Sequence, residues 1–69
     1  MLRVVSWRVW VLNRDLQWYR VVVPRDGRWH AWSFDSEFDA WVAIVAEWDR
    51  LVAMDMVTVD VQGEPLLVV

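Results

Sequence analysis

Between Leu2 and Leu12 apolar and polar positions alternate, with Arg3, Val5, Trp7, Val9 and Val11 on one side and Val4, Ser6, Arg8, Trp10 and Leu12 on the other. A two-residue period rich in Val and Trp predicts a β-strand whose odd face is mostly apolar. Asn13-Arg14-Asp15 breaks the pattern with two good turn residues. Leu16 to Val23 then favours β structure again through Trp18, Tyr19 and three consecutive valines. The two stretches are expected to pair as a hairpin. Pro24-Arg25-Asp26-Gly27 is a second turn signal, because Pro presets φ and Gly accepts the positive φ that closes such a turn. Trp29 to Phe34 predicts a third, shorter strand.

The period changes after Phe34. Ser36 is placed to accept from the backbone amide of Asp39, an Asp variant of the capping box, and the neighbouring acids suit the positive end of a helix dipole. A helix is expected from Ser36 onward. On a helical wheel Phe38, Trp41, Val42, Ile44, Val45, Trp48, Leu51 and Val52 form a broad apolar sector, opposite Asp39, Ala43, Ala46, Glu47, Arg50 and Ala53. The wheel predicts that the tryptophan stripe lies on the sheet and that the alanines flatten the outer side. Past Met54 alternation returns, with Val57, Val59 and Val61 against Thr58 and Asp60. Gln62-Gly63-Glu64-Pro65 reads as a turn, and Leu66 to Val69 as a candidate fourth or fifth strand. The fold expected over residues 1–69 is a single small α+β domain. It has a mainly antiparallel sheet of four or five strands and one packed α-helix, in the order β-β-β-α-β with a candidate terminal β.

Composition sharpens this picture. Apolar residues make up 58% of the 69, against roughly 45–50% in an ordinary globular chain, so the chain has core material in excess. The absence of cysteine excludes a disulfide framework, a thiolate zinc site and a thiol nucleophile. The longest apolar run, Ala40 to Ala46, falls far short of the roughly 20 residues of a membrane-spanning helix. Arg3, Ser6 and Arg8 interrupt the start where a signal peptide needs a continuous apolar run. The expected setting is the cytoplasm, away from membranes.

Charge divides unevenly. Residues 1–34 carry six Arg against Asp15 and Asp26, a balance of +4, whereas residues 35–69 carry Arg50 against eight acids, a balance of −7. Most aromatic residues follow the basic half. Little in either half suggests catalysis. Asp35, Glu37 and Asp39 alternate like the opening of a calcium loop, but Ala40 stands where that loop needs Gly and Ala46 where it needs a bidentate Glu. The acids are read as helix capping, with no metal or cofactor expected. His30 is the single histidine, the residue type most used for general acid–base work, and no nucleophile or carboxylate is tied to it beyond proximity to Ser33 and Asp35. The chain is expected not to be an enzyme.

The sharper signal is Arg interleaved with Trp on the expected strands: Arg8 with Trp10, Trp18 with Arg20, and Arg28 with Trp29 and His30. One helix covers one face of a sheet, and seven Trp exceed what a small core holds at about 150–250 Å² each. Guanidinium groups stacked on neighbouring indoles would account for the pattern as local packing. Trp and Arg are equally the side chains most enriched in binding hot spots. Arg8, Trp10, Trp18, Arg20, Arg28 and Trp29 are therefore the candidate partner-binding residues. A partner protein is the expected ligand, and nucleic acid on the same sheet is the alternative. Small, acidic, cysteine-free inhibitors and accessory proteins of phages and mobile elements share these features.

The run from Tyr19 to Trp48 combines a strand, Asp26-Gly27, a short aromatic strand, Phe34, an acidic helix start and an Ala-rich helix. It resembles the three-strand-plus-helix DNA-binding modules found at the start of phage integrases. The resemblance implies a sheet in the major groove, with groove contact by Arg8, Arg20, Arg25 and Arg28. The chain departs from that family in its net acidity and in the strand-forming sequence after the helix.

Self-association is also expected, as a homodimer. The spare tryptophans and the uncharged Leu66 to Val69 segment leave more apolar surface than a 69-residue monomer hides. The sheet is the expected contact, because Trp10 and Trp18 offer more area than three Ala methyl groups. Light scattering at micromolar concentration is expected to give a mass near twice 8.3 kDa. A monomer persisting to millimolar concentration would assign the spare aromatics elsewhere.

Overall fold

A computed structural model describes residues 2–67. The chain runs β1 (Leu2–Asn13), β2 (Trp18–Arg20), β3 (Val22–Arg25), β4 (Arg28–Ala31), β5 (Ser33–Phe34), α1 (Glu37–Ala46), α2 (Trp48–Ala53) and β6 (Met56–Leu67). The class is α+β, as the pattern predicts, with antiparallel strands in two sheets. β1 is the centre of the larger sheet: β2 and β5 pair along one edge and β6 along the other. β3 and β4 form a separate two-stranded hairpin. Among the described residues no helix is long and apolar enough to cross a membrane.

Turn chemistry accounts for the chain reversals. Asn13 closes the β1–β2 connection with its side chain, whose Oδ1 accepts from the amides of Asp15 at 3.0 Å and Gln17 at 3.1 Å. Asp26 and Gly27 both take positive φ, 52° and 72°, which the two-residue loop of a tight hairpin requires. The helix begins where expected: Ser36 is extended and its hydroxyl accepts from the Asp39 amide at 3.0 Å. The predicted second and third strands are each divided. Val21 separates β2 from β3 while donating to the Val9 carbonyl at 2.9 Å, and Trp32 separates β4 from β5 while donating to the Val21 carbonyl at 2.9 Å. The hairpin thereby swings out of the main sheet yet stays hydrogen-bonded to it.

The predicted turn at Gln62-Gly63-Glu64-Pro65 does not form. These residues continue β6, with Gln62 opposite Arg8, Gly63 opposite Trp7 and Pro65 opposite Val4. Pro65 is tolerated because β6 pairs on one side only among the described residues, so a missing N–H need not break a ladder. Leu66 and Leu67 belong to the same strand; residues 68–69 of the expected terminal strand lie outside the described residues. Two register shifts against β1, leaving Val5 and Val57 unmatched, accommodate the length of the pairing.

The larger correction concerns the helix. Its buried residues are Ala40, Ile44 and Leu51, which close on Val9, Val11, Val21 and Val61 of the sheet side. Of the eight residues predicted to face the sheet, Ile44 and Leu51 do so, whereas Phe38, Trp41, Val42, Val45, Trp48 and Val52 are exposed, Phe38 by 75%. The outer side thus carries the tryptophans as well as Ala46 and Ala53, which are exposed as expected. The physical reason is packing. The apolar arc covers more of the wheel than one sheet contact can use, and the small Ala40 with the branched Ile44 permits closer approach than indole rings would. The buried core is accordingly aliphatic throughout. Trp7, Trp32 and Phe34 pack at its margin, the last two edge to face at 5.3 Å.

Adjacent residues test this orientation. Ile44 is 1% exposed and Val45 is 73% exposed. Ile44→Ala is expected to cost about 2–5 kcal/mol in urea unfolding, whereas Val45→Ala should change stability by no more than about 0.5 kcal/mol. Equal losses would contradict the inward face described here.

Candidate interaction surface

The strand registers place four of the six sequence-predicted residues on one face. In rows across the strands, Arg8 stands between Ser33 and Gln62, Trp10 between Arg20 and Asp60, and Leu12 between Trp18 and Thr58. Because Val9, Val11 and Val61 point to the helix, this even face is the one the helix leaves uncovered. Arg8 and Trp10 are half-buried by their neighbours, while Trp18 and Arg20 are exposed. The face is electrically divided. Arg8 Nε lies 3.3 Å from Glu64 Oε2, and Gln62 Nε2 donates to Asp60 Oδ2 at 2.8 Å. Acids therefore hold the β6 side and arginines the β2 side.

On the arginine side the swung-out hairpin encloses a cleft of about 440 Å³. Arg8 and Arg20 line it from the sheet, Arg25 and His30 from the hairpin, with Trp29, Trp32 and Ser33 completing the wall. Its lining holds no carboxylate, in a chain whose net charge is −3. Arg25 also stands directly opposite Arg28 beside the turn. Like charges at such a pair destabilise a hairpin by a few tenths of a kcal/mol to about 1 kcal/mol.

Of the remaining predicted residues, Trp29 lines the cleft and Arg28 stands beside it through its pairing with Arg25. Trp29 is 72% exposed on the hairpin arm, presenting an indole to whatever enters. Arg25, His30, Trp32 and Ser33 are not among the six candidate partner-binding residues; Arg25 enters the sequence reading only as a groove contact implied by the integrase resemblance, and His30 only as the neighbour of Arg28 and Trp29. For Arg25 and His30 a signal was present: the Asp26-Gly27 turn fixes the opposing pairs Arg25 with Arg28 and Val23 with His30. Trp32 and Ser33 join the wall through the break between β4 and β5, which alternation alone does not reveal.

Asp35, Glu37 and Asp39 do not converge on a point. Among the described residues, no three His, Asp or Glu side chains come together as a metal cluster. The resemblance to phage integrase modules also meets a structural difference. The strands between Trp18 and Phe34 do not form one continuous meander, because β3 and β4 leave the sheet and β5 pairs with β1. The chain matches no family model, no curated protein and no solved structure.

Proposed function

We propose that this protein is a non-enzymatic interaction module that holds an acidic segment of a partner protein in the arginine-lined cleft. The observation that carries this reading is the convergence of Arg8, Arg20, Arg25 and His30 on one cavity that has no carboxylate in its wall. Guanidinium groups bind carboxylates through two parallel hydrogen bonds, which gives geometry as well as charge. The adjoining face adds Trp10 and Trp18, and the arm adds Trp29. These are the large, rigid anchors on which protein interfaces concentrate their binding energy.

A nucleic acid on the same sheet is the second reading, because phosphate also satisfies arginine. The charge division favours protein. A duplex laid across the sheet would bring phosphates against Asp60 and Glu64 as well as the arginines, whereas a short acidic peptide can remain on the β2 side.

The test is fluorescence anisotropy with two probes, an Asp/Glu-rich peptide carrying one aromatic residue and a short DNA duplex. The peptide is expected to bind, and Arg20→Glu combined with Arg25→Glu to abolish binding. Trp10→Ala or Trp18→Ala should weaken it by about 2 kcal/mol, roughly thirtyfold, where either is a hot spot. Peptide affinity unchanged in the arginine double variant would remove the cleft from consideration. Duplex binding at physiological salt, falling with a log–log slope of about −3 to −4, would replace the protein reading with the nucleic-acid one.

A further inference from the structure

We infer that the outward side of the helical segment is a second docking site, and that its occupant is a basic amphipathic helix of a partner protein. α1 and α2 follow one another end to end as a rod interrupted at Glu47, whose φ of −107° and ψ of 21° leave the helical region. Glu47 between them donates to the Ala43 carbonyl at 3.0 Å, and Leu51 donates to the Glu47 carbonyl at 3.1 Å. Along this rod Phe38, Trp41, Val45, Trp48 and Val52 follow one another at intervals of three, four, three and four residues. All five are exposed, by between 37% and 75%. The helical segment thus carries two apolar stripes: Ala40, Ile44 and Leu51 are buried against the sheet, and of the outer five Phe38 and Val45 are largely uncovered while Trp41, Trp48 and Val52 keep 37–51% of their surface exposed.

The spacing identifies the occupant's shape. Apolar residues alternating by three and four make the seam of a helix pair, in which each side chain enters a gap between residues of a facing helix. A strand or a small molecule has no use for that period. From Phe38 to Val52, across the interruption at Glu47, the seam runs at most about 21 Å at 1.5 Å per residue.

Charge identifies its chemistry. In the seven-residue register, Glu37 and Asp49 occupy positions bordering the seam, where flanking charges select the partner. The rod carries Glu37, Asp39, Glu47 and Asp49 against Arg50 alone, and that arginine is paired to Glu47 at 3.2 Å. A second copy would set one acidic rod against another. A helix with Lys or Arg beside its own apolar seam complements both features. This site shares no residue with the arginine cleft and does not depend on it.

Two labelled helical peptides of about 18 residues, identical in a leucine seam but flanked by Lys/Arg in one and Glu in the other, test the proposal against the full chain by anisotropy. The basic peptide should bind at least about tenfold more tightly than the acidic one. Val45→Glu and, separately, Phe38→Ser should each weaken it by about thirtyfold, with far-UV circular dichroism and unfolding midpoint checking that the fold persists. Glu37→Arg with Asp49→Arg should reverse the preference. Failure of the basic peptide to bind, equal binding of both peptides, or undiminished binding by the well-folded Val45 and Phe38 variants would overturn the proposal. So would a dimer that Val45→Glu converts to monomer, since the face would then belong to a second copy.

Discussion

Every strand of the larger sheet depends on β1. β2, β5 and β6 each pair with it and with no other strand among the described residues, and the Val9 carbonyl also receives the amide that starts the outlying hairpin. Val9 is fully buried at the centre of the aliphatic cluster, so the same strand supplies the ladder and the floor of the core. The pairing of β1 with β6 joins the two ends of the sequence, Leu2 opposite Leu67. Such a contact closes a loop of most of the chain, an entropy cost that the intervening hairpin and helix contacts help to offset.

A two-layer fold with one helical rod leaves two outward faces. The sheet turns Arg8, Trp10, Trp18 and Arg20 away from the helix, and the rod turns Phe38, Trp41, Val45, Trp48 and Val52 away from the sheet. A chain of this length buries only roughly 60% of the surface exposed on unfolding, so it cannot enclose so much aromatic material. The core closes on small and branched aliphatics, and the indoles are displaced to the margins and to both outer faces. The apolar excess thereby becomes surface with specific chemistry on each side.

The charge asymmetry of the chain is carried into space. Arginines from the first half gather where β1, β2 and the hairpin meet, while β6 and the helical rod bring the acids of the second half to the far edge of the sheet and to the opposite side of the molecule. Among the described residues the ion pairs between the two sets are few and at least partly open to solvent. Arg14 meets Asp55 at 2.9 Å and Arg8 meets Glu64 at 3.3 Å, pairs whose solvent access limits their worth to about 1 kcal/mol or less. Charge here contributes little to holding the fold and much to distinguishing its two faces.

The local rules legible in the residues were those of backbone conformation. The strand period of Leu2 to Leu12, the Asp26-Gly27 turn, the Ser36 cap and the even-face grouping of Arg8 with Trp10 and Trp18 with Arg20 all follow from preferences within a few residues. Tertiary structure decided what such preferences leave degenerate. A helix apolar over most of its circumference has no inward side by pattern, and close packing of Ala40 and Ile44 selected one. Gln62 to Pro65 has turn composition, yet the long ladder with β1 held it extended. Arg25 and His30 joined Arg8 and Arg20 in a cleft because Val21 and Trp32 interrupt the strands and swing the hairpin round. Each of these outcomes depends on contacts between segments distant in sequence, where steric fit and hydrogen-bond pairing outweigh local propensity.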